Sequence, residues 1–182
     1  MRKKELRGRY NQTAWLYDKR YEEIQNKKYS EILEKVKVDQ SDVILDLGCG
    51  TGLFLEKIKS NRVFGLDFSE KMIEIARGKL DHEVHLVLAD CDFLPFKHNI
   101  FTKLFSFTLL QNSENPLDTL REMVRVCRDG ALLIVTILEK NISEDDFKKI
   151  LEKAGLKSIQ VWKMEVEDIA GIGVVKKTNK WR

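Results

Sequence analysis

Val43-Ile44-Leu45-Asp46-Leu47-Gly48-Cys49-Gly50-Thr51-Gly52 decides how this chain folds. Its first half is an apolar run with β-branched residues, the pattern of a strand buried on both faces, and its second half is a glycine-rich turn. Glycines suit that turn because the backbone must reverse sharply and because a Cβ would block a ligand lying across the strand's carboxyl end. Asp46, at the strand tip, is expected to put a carboxylate at the mouth of the same crevice. The G-x-G-x-G spacing is tighter than the G-x-G-x-x-G of dinucleotide sites, and a carboxylate there repels a pyrophosphate. A cationic amino-acid group suits it better.

Outward from this stretch, strands and helices alternate. A crossover helix is predicted over 53–59, with its positive dipole end at the glycine turn. Arg62-Val63-Phe64-Gly65-Leu66-Asp67 reads as a second buried strand ending in a carboxylate, and Ser69 is placed to cap the next helix. A third strand over 86–90 ends in Asp90, and a fourth spans 101–109. Pro116 suits the first turn of a helix that runs to about Cys127, before the Asp129-Gly130 turn. A fifth strand follows over 131–138. Ser143 opens a helix with an acidic first turn, Gly155 ends it, and 156–164 with 169–177 form a closing antiparallel pair. Alternation of this kind implies an α/β fold, a Rossmann-like doubly wound sheet with helices on both faces.

The segment Asp46-Leu47-Gly48-Cys49-Gly50-Thr51-Gly52 resembles motif I of the class I S-adenosylmethionine-dependent methyltransferases. Asp67 is similar to motif II, and Ala89-Asp90-Cys91-Asp92-Phe93-Leu94-Pro95-Phe96 is similar to motif III with its Leu-Pro-Phe tail. The resemblance implies S-adenosyl-L-methionine as cofactor and a seven-stranded sheet of order 3-2-1-4-5-7-6 with strand 7 antiparallel. It also implies a binding set of Tyr17, Asp46, Gly48, Cys49, Gly50, Gly52, Asp67, Phe68, Met72, Asp90, Cys91 and Phe107. Asp67, about twenty residues past the glycine turn, is placed to accept hydrogen bonds from both ribose hydroxyls. Asp90 can accept from the adenine amino group, and the Cys91 backbone N–H can reach a ring nitrogen. Met72 either packs on the adenine or is plain core.

Ahead of the first strand, Tyr10, Ala14, Tyr17 and Tyr21 fall on one helical stripe, and a second helix is predicted over 29–36. The stripe either caps the edge of the core or forms a lid whose ring faces attract a sulfonium by ~0.5–2 kcal/mol. Tyr10-Asn11-x-x-Ala14-x-x-Tyr17-Asp18 resembles the Tyr-Asp-x-x-Ala-x-x-Tyr-Asp segment that covers the cofactor in many small-molecule methyltransferases, with Asn11 in place of the first Asp. The chain therefore divides into a helical lid segment over 1–40 and a methyltransferase domain over 41–182.

Length and composition agree with one compact unit: 182 residues, 43% hydrophobic. No apolar run reaches the ~18 residues of a membrane span and no apolar signal region follows Met1, so a cytoplasmic protein without membrane contact is expected. Cys49, Cys91 and Cys127 have no C-x-x-C spacing and read as reduced thiols; the three histidines lack metal spacing, and no metal is expected. A net charge of +3 does not mark a nucleic-acid binder, although Arg2, Lys3, Lys4, Arg7 and Arg9 cluster at one end and Lys176, Lys177, Lys180 and Arg182 at the other.

The acceptor is decided by the loop after the fourth strand, Thr108-Leu109-Leu110-Gln111-Asn112-Ser113. Relatives that methylate amide or exocyclic amino nitrogens carry Asn-Pro-Pro-Tyr or Asp-Pro-Pro-Tyr there, and this chain does not. Gln111 and Asn112 either orient an acceptor or are simple loop residues, and Thr102 stands where many relatives have Asp. The resemblance favours a small-molecule acceptor. Its rival is RNA or a translation factor, methylated with the help of a small zinc-ribbon activator paired to the third-strand edge near 84–88. Outside the family, a nicotinamide-dependent oxidoreductase and a catalytically silent cofactor-binding scaffold compete. The acceptor atom, the need for a general base and the oligomeric state are left open.

Overall fold

In the computed structural model, which describes residues 3–177, Val43–Leu47 forms β1, and all five of its residues are buried. It pairs in parallel with β2 (Arg62–Asp67) on one side and β4 (Phe101–Ser106) on the other. With β3 (Val84–Leu88), β5 (Cys127–Leu138), β6 (Leu156–Lys163) and β7 (Asp168–Val175), the sheet has the order β3-β2-β1-β4-β5-β7-β6, and β7 runs antiparallel to both neighbours. The expected architecture is the one observed. Of the basic terminal residues noted above, Arg2, Lys180 and Arg182 lie outside the described residues.

Alternation along the central strands builds a core on each face. Leu45, Leu47, Leu104, Leu133 and Val135 point to the side covered by α4 (Pro116–Val126) and α5 (Glu144–Lys153), where Leu120, Met123, Phe147 and Leu151 meet them. Ile44, Phe105 and Ile134 point the other way, to Tyr29, Ile32 and Val36 from the end of α2 (Tyr17–Lys35). A smaller cluster forms where α3 (Glu70–Lys79) packs Ile73 against Val63 and Cys49. Ser69 caps α3 as expected, its hydroxyl accepting from the Met72 N–H at 3.3 Å.

Several elements differ from the sequence reading: β3 covers 84–88 rather than 86–90, which leaves Asp90 in the loop beyond it, and β5 begins at Cys127 rather than 131, so Asp129 and Gly130 lie within the strand. No α-helix forms over 53–59, where the chain makes only a 3-10 turn, Leu55–Lys57. Leu53 and Phe54 fill the core beneath α2 while Leu55 fills the pocket beneath α3, and three consecutive inward side chains do not fit one helical stripe. The glycine turn accordingly has no helix dipole behind it.

The aromatic stripe is not one helix. α1 (Lys3–Thr13) stops at a 3-10 turn, Ala14–Leu16, and α2 then runs from Tyr17, twelve residues ahead of the predicted start at 29. The Thr13 hydroxyl donates to the Arg9 carbonyl at 3.0 Å, a back-bond that bends helices. Finally, β4 ends at Ser106 rather than 109, because Thr108 takes a left-handed φ of 54°.

Candidate functional site

The carboxyl ends of β1, β2 and β4 open into a cavity of about 1080 Å³, at the upper limit of the ~300–1,000 Å³ usual for small-molecule sites. Its floor is the glycine turn. Gly48, Gly50 and Gly52 all have positive φ, a region that other residues enter at a cost. At Gly50 a Cβ would project toward the Tyr17 ring, 3.9 Å away on the cavity wall, whereas at Gly52 it would strike Leu80 Cδ1 at 2.8 Å. The first glycine keeps the cavity open and the second lets α3 close on the turn.

Asp67 lines the cavity and also holds the turn in shape. Its Oδ2 accepts from the Gly50 N–H at 3.0 Å and its Oδ1 from the Ser69 N–H at 2.8 Å. Burial pushes its pKa above the ordinary carboxylate range, and the backbone hydrogen bonds offset part of that rise.

Asp46 is not at the mouth of the crevice, as its place at the strand tip had suggested. It is 2% exposed beneath the turn and is not among the residues lining the cavity. β1 continues through Leu47, so the glycines fold back over the acid. Its side chain has no hydrogen bond or ion pair among the described residues. Burial first, and then the charge of Asp67, raises its pKa well above the ordinary value. An uncompensated buried carboxylate costs several kcal/mol, so a cation settling over the turn would gain from it.

Asp90 and Cys91 line the far end of the cavity, beyond β3. Both Asp90 oxygens accept from Lys3 Nζ at 2.7 Å, and the same ammonium reaches Asp92 Oδ2 at 2.5 Å. Asp90, Cys91 and Asp92 bring potential metal-ligand atoms within 4.8 Å of one another, and the single ammonium of Lys3 already pairs with both acids. Burial, helped by Asp92 and Asp90, pushes the Cys91 thiol up to about 12. Phe68 and Met72 complete this end, with the Phe68 ring edge-on to Tyr10 at 6.0 Å between centroids and Met72 only 1% exposed.

At the opposite end Phe107 packs against Tyr29 and Phe54, each at 4.8 Å between centroids. Tyr17 stacks obliquely on Tyr21 at 5.0 Å and accepts a hydrogen bond from Gln25 Nε2 at 3.2 Å. Of the twelve residues the sequence proposed, the structure brings nine onto one cavity and sets Asp46, Cys49 and Gly52 behind its wall.

Sequence reasoning missed Lys28 and Asp168, which form a buried ion pair of 2.9 Å on the cavity wall. The only sequence signal was helical spacing, since Lys28 follows Tyr17, Tyr21 and Gln25 along one face of α2. Thr102 lies far from this chemistry. It sits at the opposite, amino-terminal end of β4, where its hydroxyl donates to Asp42 at 2.8 Å and accepts from the Val43 N–H at 3.0 Å.

A family model described as a methyltransferase domain matches residues 45–135, from β1 to the middle of β5. The chain belongs to the class I methyltransferase family.

The chain is 39% identical over 153 residues to an uncharacterized protein of Methanocaldococcus jannaschii, covering 78% of this chain and 58% of that one. It is 30% identical over 144 residues to a malonyl-[acyl-carrier protein] O-methyltransferase of a Marinomonas species, covering 76% and 53%. The chain thus spans little more than half the length of these relatives. Among solved structures it is similar to a chain in the complex between the Haloferax volcanii Trm112 methyltransferase activator and its proposed methyltransferase, with a TM-score of 0.81, 19% identity and coverage of 92% and 98%.

S-adenosyl-L-methionine is the cofactor of this family, and membership in it sets the nicotinamide alternative aside. The carboxylate of Asp46, without a partner among the described residues, and Gly50 on the cavity floor suit a ligand with an ammonium at one end. Among the described residues no helix is long and apolar enough to cross a membrane.

Proposed function

We propose that this methyltransferase transfers a methyl group to a small molecule enclosed beneath α1 and α2. The observation that carries this is the roof of the cavity: Leu6, Tyr10, Tyr17, Tyr21, Ile24 and Lys28, from both helices, line it together with the sheet ends. An acceptor must enter a depth shaped for a small molecule rather than meet an open face. In this assignment residues 1–40 are the lid and 41–182 the catalytic domain.

Within the site, Asp46 meets the amino-acid end of the cofactor across the glycine turn, and Asp67 accepts from the ribose. Asp90 and Cys91 face the adenine, where Lys3 shares or yields its ion pair, and Phe68 and Met72 flank the ring. Phe107 and Tyr17 bound the methyl side. When bound, S-adenosyl-L-methionine supplies a sulfonium methyl, to which an acceptor lone pair bonds as the carbon–sulfur bond breaks and its electrons return to sulfur. Charge disperses in such a displacement, so alignment by the cavity, worth up to ~7–11 kcal/mol in well-oriented systems, carries most of the work and no general base is assigned.

A second reading, an RNA or protein acceptor with an activator subunit, draws on the neighbour solved with Trm112. Among the described residues β3 is an edge strand hydrogen-bonded only to β2; Leu88 at its end and Phe93 beyond it are 49% and 79% exposed, which suits strand addition by a small zinc-ribbon partner. Free thiols at Cys49, Cys91 and Cys127 fit a reducing compartment, the cytoplasm.

Calorimetry should show binding of S-adenosylhomocysteine and none of NAD. Tritiated methyl from S-adenosylmethionine should then label a low-molecular-mass fraction of cell extract and survive nuclease treatment. Label confined to a nuclease-sensitive or protein fraction would transfer the assignment to the second reading.

A further inference from the structure

Lys28 of α2, Thr108 just beyond β4 and Asp168, the first residue of β7, meet on the cavity wall, with Thr136 of β5 behind them. Lys28 Nζ donates to Asp168 Oδ1 at 2.9 Å and to Thr108 Oγ1 at 2.7 Å. The Thr108 and Thr136 hydroxyls each donate to Asp168 Oδ2 at 2.9 Å, and the Thr108 N–H donates to Thr136 Oγ1 at 3.0 Å and to the Thr136 carbonyl at 3.1 Å. Each hydroxyl proton is used once. The Lys28 and Asp168 side chains are 4% and 2% exposed.

Stability alone accounts poorly for this arrangement, because a buried ion pair is often no more stabilising than apolar groups of the same shape. What the network does hold is Thr108. A β-branched residue at φ 54° is a backbone outlier, and such conformations persist only where the surroundings over-determine them. From this turn the chain doubles back over the site: Leu109 comes against Gly48, and Asn112 donates to the Tyr10 hydroxyl at 3.3 Å. Gln111 also lines the cavity, and its Oε1 is buried without a partner.

We propose that Lys28 is a positioning residue for methyl transfer, locking Thr108 through Asp168 so that residues 109–112 are held as the acceptor-facing wall. Resting on the methyl-transfer assignment above, it deepens that assignment by naming what sets the wall's geometry. The lock also explains why a lysine on the lid helix is buried against the start of β7: it ties lid and wall into one unit.

Hydrogen exchange with S-adenosylhomocysteine bound tests it. Lys28→Met should speed exchange of the 109–112 amides at least tenfold, leave the glycine-turn amides unchanged and keep the dissociation constant within threefold. Single-turnover methyl transfer into the extract fraction labelled by the wild type should fall at least tenfold. Adding Thr108→Asn to Lys28→Met should restore protection and part of the transfer rate, because Asn adopts positive φ without help. A purely structural lysine would not be rescued this way. Should Lys28→Met unfold, Thr136→Val, which removes one hydroxyl and no charge, should speed the same amides about threefold.

Unchanged protection at 109–112 overturns the proposal, as does loss of S-adenosylhomocysteine affinity in parallel with transfer, or absence of rescue. Failure of the wild type to bind S-adenosylhomocysteine would instead sink the methyl-transfer assignment, and the exchange data would still report on the lock.

Discussion

Asp46 and Asp67 sit near the carboxyl ends of adjacent parallel strands, yet they do different work. Asp67 spends its lone pairs on the Gly50 and Ser69 N–H groups and still faces the cavity, so it acts on the turn and on the ligand together. Asp67→Ala should weaken S-adenosylhomocysteine binding at least tenfold by calorimetry. An unchanged dissociation constant would remove the ribose assignment.

Asp46 has nothing to share its charge with. Its pKa, raised first by burial, must fall when an ammonium arrives, so binding should release protons in the window above the ordinary carboxylate value of ~3.9. Titrations in buffers of different ionisation enthalpy measure that release. Asp46→Asn should abolish it and weaken binding about tenfold, while release that persists in the variant would place the titrating group elsewhere.

α1 and the start of α2 are fastened by polar hooks, whereas the end of α2 packs an apolar face on the sheet. Lys3 bridges Asp90 and Asp92 at the start of α1. Asn11 Oδ1 accepts from the Ser69 hydroxyl at 2.6 Å, which joins α1 to the capped end of α3. Asp18 accepts from the Thr51 hydroxyl at 2.5 Å and pairs with Lys79, joining α2 to both the glycine turn and α3.

Hooks of this kind are partly exposed and screened by salt, so they release a helix without unfolding the sheet. Lys3→Met should therefore raise amide exchange across α1 severalfold while moving the melting temperature by no more than about 2 °C, less than the ~2–4 °C that 1 kcal/mol gives a chain of this size. In α3 the expectation has the opposite sign. Gly78 is the penultimate residue of the helix, with nothing within 4 Å of the position a Cβ would take, so Gly78→Ala should stabilise the protein, by up to the ~0.5–1 kcal/mol of a mid-helix site, in a urea titration.

For the molecule as a whole, the acids pull stability in opposite directions along the pH axis. Asp42 is partly buried, which by itself raises its pKa, but hydrogen bonds from Lys103, the Asp39 N–H and Thr102 outweigh this and hold the carboxyl below its usual range. Its contribution is present above the unfolded value of ~3.9 and is lost as pH falls through the folded value. Asp46 and Asp67 are raised, so theirs is present below ~3.9 and is lost as pH rises through their folded values. In the ligand-free protein both acids therefore resist ionisation, at the site where a cationic ligand end would favour their charged forms. The rise in melting temperature on adding saturating S-adenosylhomocysteine should grow from pH 4 to pH 7, and a gain independent of pH would contradict the placement of these acids.

The strand order, the glycine turn and the acids closing β1, β2 and the β3 loop were legible in the chain because they follow from local patterns: runs of buried residues, positive-φ glycines and turn chemistry. Only tertiary structure decided that 53–59 forgoes a helix, since that depended on two separate cores competing for Leu53, Phe54 and Leu55. Only tertiary structure sank Asp46 beneath the turn, set Lys3 on Asp90 and joined Lys28 to Asp168. These are pairings between side chains distant along the chain, and no period or propensity carries the free energy of a contact whose partner arrives only when the sheet closes.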